Sequence, residues 1–211
     1  MQLRRDDVVA GALAVLDDTG MDGLTMRKLA AHLGVQAGAL YWHFPNKQAL
    51  LEAMADKLVE GVDDDVVSGP WERQFTELAH RLRRALLAHR DGARVLAGTF
   101  VAEPNTLASG TLAMEILHRA GLPAREAGCI AFSVFHFILG HTIEEQAQAE
   151  LAASGAWEAK RAALSEQSAQ ETGVRPLDAI MDVPPEERFA YGLTVFINGI
   201  RHQLTTGSGG S

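Results

Sequence analysis

The chain has a single cysteine, Cys129, among its 211 residues, so no internal disulfide framework holds it together. Its N-terminus has no signal-peptide apolar core, and no apolar run approaches the roughly 20 residues that cross a bilayer. Together these absences set the expectation of a cytoplasmic protein without a membrane partner. Repeats and metal-finger spacings are absent too, and so is the strict alternation that marks strands. Positive charge is in short supply: 19 Lys and Arg stand against 27 Asp and Glu, a formal net charge of -8. An acidic surface repels phosphates, so overall composition argues against a nucleic-acid partner. Distribution changes that conclusion. Within residues 1–47, Arg4, Arg5, Arg27, Lys28 and Lys47 are balanced by five aspartates, and all the excess acid lies downstream. A local basic face on an acidic body remains open.

What the chain has in quantity is helical periodicity. With 47% apolar residues it can bury a real core, and Val8, Val9, Ala12, Leu13, Val15 and Leu16 recur at helical spacing until Gly20. Thr25 has the chemistry of an N-cap, because its hydroxyl can accept a bond from a first-turn amide. Leu29, Ala30 and Leu33 follow as one stripe, leaving Arg27, Lys28 and His32 on other faces. Gly34 suits the left-handed turn that closes a helix. A second helix, Gln36 to His43, begins almost at once, which is helix-turn-helix spacing. Tyr41, Trp42 and His43 follow one another, and three consecutive rings on a helix cannot all face one core. Their polar tips are suited to phosphate contacts.

Downstream, Pro45-Asn46 opens a bridging helix of about 46–62 through Leu50, Leu51, Met54, Leu58 and Val62, and Gly61 to Pro70 breaks the pattern. Helices are then expected over Trp71 to His89, Asp91 to Gly98, Asn105 to Ala120 and 124–152. The last of these is apolar most of the way round, which requires burial on several sides, centrally or against a second subunit. A polar stretch after Gly155 reads as loosely held. Pro184-Pro185 begins a final helix with Phe189, Leu193, Phe196, Ile197, Ile200 and Leu204. Residues 207–211 read as a flexible tail.

The run Leu24 to Ala30, Leu33-Gly34-Val35, Leu40 to His43 and Asn46-Lys47 resembles the DNA-binding domain of the tetracycline repressor (TetR) family. His89 to Val95, Gly98-Thr99 and His136 to Gly140 are similar to the ligand-binding domain of its tetracycline repressor branch, so the likeness covers most of the chain. The resemblance implies an all-α protein. An N-terminal three-helix helix-turn-helix domain (1–47) is joined by the bridging helix to a larger helical effector-binding and dimerisation domain (48–206). The implied function is a homodimeric transcriptional repressor that binds a palindromic operator in double-stranded DNA and is released by a small molecule. Two reader helices related by a two-fold axis enter successive major grooves about 34–36 Å apart.

For the DNA contacts, Arg27 suits a bidentate bond to guanine, Gln36 an adenine or phosphate contact, and the Ala39 methyl a thymine methyl. Lys28 lies on the same exposed face, and Tyr41, Trp42, His43 and Lys47 would position the backbone. In the family the positions of Arg27, Tyr41 to His43 and Lys47 contact DNA. Ala37, Gly38 and Ala39 differ from the branch's reader residues, so no operator sequence transfers.

The effector site departs from the branch as well. A metal-ligating histidine is expected three residues before Thr99, but Leu96 stands there. Leu78 and Leu82 replace a drug-contacting asparagine and phenylalanine, while Asp63 and Ala113 replace a histidine and a glutamine. Thr99, His136 and Glu144 remain, with Phe132 and Phe135 beside them. Magnesium wants several oxygen ligands in near-octahedral geometry, so no cofactor is required, Mg²⁺ is disfavoured, and the expected effector is fairly apolar, with His136 as its main polar handle.

Two other classes are weighed against this. A metal-dependent enzyme using His136, His141 and Glu144, or a Cys129 nucleophile, lacks support: a thiol in an apolar helix is usually inert, and histidines five apart do not match the i, i+4 pair of helical zinc sites. A helical protein-interaction module would use the apolar helices for a partner instead.

Overall fold

A computed structural model describes residues 3–99, 102–172 and 180–207. Its described residues form ten helices and no strand: α1 (Arg5–Gly23), α2 (Met26–His32), α3 (Ala37–Tyr41), α4 (Lys47–Leu58), α5 (Trp71–Leu87), α6 (Gly92–Ala97), α7 (Pro104–Arg119), α8 (Ala124–Ala153), α9 (Trp157–Thr172) and α10 (Pro185–Gly207). The all-α class expected from the periodicity is what the chain adopts.

Local chemistry sets the first boundaries. The Asp7 carboxylate accepts from the Arg4 amide at 2.9 Å, closing the start of α1, and all six apolar residues named for that helix are buried. The Thr25 hydroxyl accepts from the Lys28 amide at 3.2 Å and caps α2. At its other end Gly34 takes φ 66. The Val35 amide then reaches Ala30 O at 2.9 Å and the Gly34 amide reaches Ala31 O at 3.2 Å, the paired closure of a Schellman turn. Asn46 caps α4 through the Ala49 amide at 2.8 Å.

Several elements differ from expectation. The reader helix stops at Tyr41, so Trp42 and His43 lie in the following turn. Pro45 is the cause: it has no amide to offer Tyr41 O, four residues back, and its ring would crowd that carbonyl. The bridging helix ends at Leu58 rather than 62, in turns around Gly61 (φ 74) and Asp65 (φ 44). Val59 and Val62 nonetheless stay buried. Arg81 secures the loop that follows, donating to the carbonyls of Asp64 and Asp65 and, at 2.8 Å, to Glu77. That last bond holds the Glu77 carboxyl below its ordinary range. The polar stretch after Gly155 is helical over α9. Gly207 ends α10; the rest of the expected tail, 208–211, lies outside the described residues.

Helix α8 bears on the choice, left open by its sequence, between central burial and burial against a second subunit. Among its residues only Ala127, Val134, Ile138, Leu139 and Thr142 are buried, and Phe132 is 56% exposed, so a single chain does not bury it on several sides. Against the earlier reading of the apolar runs, it is also long and apolar enough to cross a membrane by length and composition. Small residues and isolated polar ones interrupt the run in the sequence, which is why it escapes notice there.

The chain parts into two compact units, 1–143 and 144–211. The first unit holds the helix-turn-helix because α4 packs on α1, α6 and α7, and because the end of α1 is tied to the turn before α6. There the Asp17 carboxylate accepts from the Arg90 amide at 2.9 Å and meets His89 Nδ1 at 2.9 Å, while the Asp91 carboxylate accepts from the Met21 amide at 2.8 Å. The second unit, 144–211, contains α9 and α10, where Arg188 donates to Gln148 at 2.8 Å.

Candidate nucleic-acid interface and effector cavity

The fully buried Leu40 and Phe44 seat α3 and the turn after it. With those two residues inward, Gln36, Ala37, Gly38, Tyr41 and Trp42 are exposed, and Ala39, His43 and Lys47 are half-buried. Trp42 is 90% exposed. An indole left bare in water forfeits its burial energy, which marks a surface made to be covered. Arg27 and Lys28 are exposed on α2, and among the described residues neither they nor Lys47 form an ion pair. All eight residues expected to touch DNA are therefore accessible on three consecutive elements. Phe44 was missed in the sequence, since its partner is far away: the Arg5 guanidinium lies 4.8 Å from its ring centroid, a cation–π contact that ties the start of α1 to the turn after α3.

Behind this face, Asp91 takes the left-handed conformation (φ 57) and spends one carboxylate oxygen on the Met21 amide and the other on Arg94 at 3.1 Å. The hydrogen bond that Arg94 donates to Asp91 raises the pKa of Arg94 above its ordinary value. Arg94 also meets Asp22 at 3.4 Å. The helix-turn-helix and α6 are thus linked by charge-assisted bonds through the motif His89 to Arg94.

The first unit also holds a cavity of about 620 Å³, within the range of small-molecule sites. Eight of the nine expected effector residues line it: Leu78, Leu82, Leu96, Thr99, Ala113, Phe132, Phe135 and His136. Glu144 does not, and it belongs to the other unit. Val59, Val62, Thr106, Ser109 and Met114 also line it; they went unread because their places depend on how α4 and α7 pack. Among the described residues no acidic or basic side chain other than His136 does so, and the remaining polar groups are three hydroxyls. The buried Thr99 hydroxyl donates to Leu96 O at 3.0 Å and to Val95 O at 3.3 Å, so its proton is engaged by the last turn of α6. His136 and Phe132 stand at the exposed rim with ring centroids 4.4 Å apart, edge to face. Leu96 is buried in the wall. A magnesium ion would find no carboxylate on this lining, and the residues do not fit it. Such a cavity can hold an uncharged ligand by apolar contact, with His136 offering a ring nitrogen at the entrance.

Family descriptions match both halves: "Bacterial regulatory proteins, tetR family" over residues 8–54 and "Tetracyclin repressor-like, C-terminal domain" over residues 65–204. The class A tetracycline repressor from transposon 1721 of Escherichia coli is 36% identical over 208 residues, 94% of this chain and 91% of its own length. A single-substitution variant of TetR from Acinetobacter baumannii AYE, solved in complex with minocycline, superposes with TM-score 0.72 at 32% identity, over 95% of this chain and 98% of that one. BioQ, solved with its double-stranded DNA operator, gives 0.71 at 30% identity, over 94% and 98%. The coverage extends through both the bare helix-turn-helix and the cavity, and the chain belongs to the TetR family of bacterial transcriptional regulators, with a tetracycline repressor-like C-terminal domain.

Proposed function

We propose that this chain is a ligand-responsive repressor that binds a palindromic operator as a homodimer and leaves it when a small, uncharged, largely apolar effector enters the cavity without a metal ion. The observation that carries the reading is one compact unit holding both an uncovered helix-turn-helix and a roomy cavity whose described lining has no carboxylate, lysine or arginine. Relatives solved with operator DNA and with minocycline support the two halves of the activity separately. The dimer is supported by apolar surface that one chain leaves bare, Phe132 on α8 and Tyr191 and Val195 on α10. Arg27 reads guanine, Gln36 and Ala39 contact neighbouring base edges, and Tyr41, Trp42, His43, Lys28 and Lys47 hold phosphates. A protein acting on chromosomal DNA in a bacterium works in the cytoplasm.

Effector binding shifts the bridging helix and with it the separation of the two readers. A coupling of about 1–3 kcal/mol is typical of such switches. Selection of duplexes from a random pool tests the DNA half: the enriched sequences should contain an inverted repeat with half-sites one helical turn apart, and an enriched set without dyad symmetry overturns the dimeric reading. Screening neutral aromatic and apolar compounds, each with and without Mg²⁺, for a rise in melting temperature tests the other half. The expected hits release the selected duplex equally well in the presence of chelator.

A further inference from the structure

Helix α7 begins with a problem that its own sequence does not solve. Its N-cap, Glu103, makes no side-chain cap bond, and Pro104 opens the first turn. The amides of Asn105 and Thr106 would be left without acceptors. A residue of the bridging helix supplies them. One carboxylate oxygen of Asp56 accepts from the Asn105 and Thr106 amides, each at 2.9 Å, and the other accepts from Asn105 Nδ2 at 2.8 Å. Asn105 Nδ2 also approaches Asp56 O at 3.4 Å, and the Thr106 hydroxyl lies 3.4 Å from the carboxylate. Asp56 is therefore an N-cap delivered from another helix, 49 residues away in the chain. Its negative charge sits at the positive end of the α7 dipole, where such charge is favoured.

The latch joins two functional parts. Downstream of these amides, α7 lines the cavity with Thr106, Ser109, Gly110, Ala113 and Met114. At its other end, α4 is capped by Asn46, directly after the turn that carries Trp42 and His43. The polar ties described above between helix-turn-helix and body run through Asp17, Asp22 and Asp91 and do not involve α4. We propose that Asp56 is a positioning residue for the allosteric response: it fixes α4 to the cavity wall, so that a displacement of α7 is passed to the reader helices. The spacing it controls presupposes the homodimer proposed above.

The test uses full-length protein with Cys129→Ser and a spin label at Ala31→Cys, an exposed position on α2, and reads the distance between the two labels of a dimer. In this background the latch predicts one narrow distance distribution. Asp56→Ala should broaden or shift it by several ångströms and weaken binding to the pool-selected duplex on the order of tenfold or more. Asp56→Asn keeps one acceptor for the amides but sets an amide donor beside Asn105 Nδ2, and should fall in between, which covers the case of an unstable alanine variant. Ala113→Trp fills the cavity in place of a ligand; it should move the distance when Asp56 is present and have little effect when it is absent. A purely structural role would lower the melting temperature of Asp56→Ala while leaving distance and duplex affinity as in the parent, and that result overturns the proposal. So does an Ala113→Trp shift that is the same with and without Asp56, or no Ala113→Trp shift at all. An inter-label signal missing in every variant removes the dimer itself, and the latch's role with it.

Discussion

Gly38 occupies a position where the protein has no internal use for a glycine. It lies in α3, its backbone is not left-handed, and a Cβ there would meet nothing within 4 Å. Glycine inside a helix costs roughly 0.5–1 kcal/mol relative to alanine. If α3 enters a groove as proposed, the bare backbone would allow close contact there, where a side chain would hold the helix away from the groove floor. Gly38→Ala should raise stability in urea by about 0.5–1 kcal/mol and still weaken binding to the selected duplex several-fold. A variant that is more stable and binds equally well would show that α3 does not approach DNA at this point. Residues whose partners are local were legible in the sequence: Thr25, Gly34 and Asn46 each do what a cap or a turn residue does within four positions. Phe44 and Asp56 were not, because Arg5 and Asn105 reach them only after the helices have packed.

At the scale of elements, the turn between α5 and α6 shows how a motif read by resemblance acquires a physical reason. A Cβ on Gly92 would stand 2.4 Å from Leu86 O, a backbone atom that cannot step aside. The same turn presents Asp91 to Met21 and Arg90 to Asp17. Gly92→Ala must therefore push α6 away from α5, at a cost of about 1–3 kcal/mol for overpacking, and should loosen the hold on α1. Chemical denaturation would measure the first effect. Hydrogen exchange at the Met21 amide would measure the second, with unchanged protection counting against the link. Helix existence was legible from periodicity throughout α1 to α8, whereas ends were legible only where a cap or proline announces them. The early end of α4 depends on backbone turns that no periodicity encodes.

For the whole molecule, a net charge of -8 means that association with DNA must rely on a few cations placed where phosphates arrive. Lys28 is exposed on α2; if it meets one phosphate per subunit, Lys28→Ala should reduce the slope of log affinity against log salt by about 2 for a dimer. A slope that does not change would place Lys28 off the DNA.

The proposed dimer would govern the same affinity by a separate route. Tyr191 and Val195 are four apart on α10 and 75% and 57% exposed, so they share one helix face that a lone chain leaves wet. Burying such side chains is worth about 1.5–3 kcal/mol each, and placing a carboxylate there turns that gain into a desolvation cost. Tyr191→Glu with Val195→Glu should therefore yield a monomer by sedimentation at concentrations where the parent chain is dimeric. Neither residue belongs to the helix-turn-helix, so each monomer keeps its own half-site contacts. What is lost is the second contact made at high effective concentration, commonly a factor of about 10² to 10⁴. Affinity for the full selected duplex should thus collapse towards that for a single half-site. If the charged variant still sediments as a dimer, the subunits meet elsewhere.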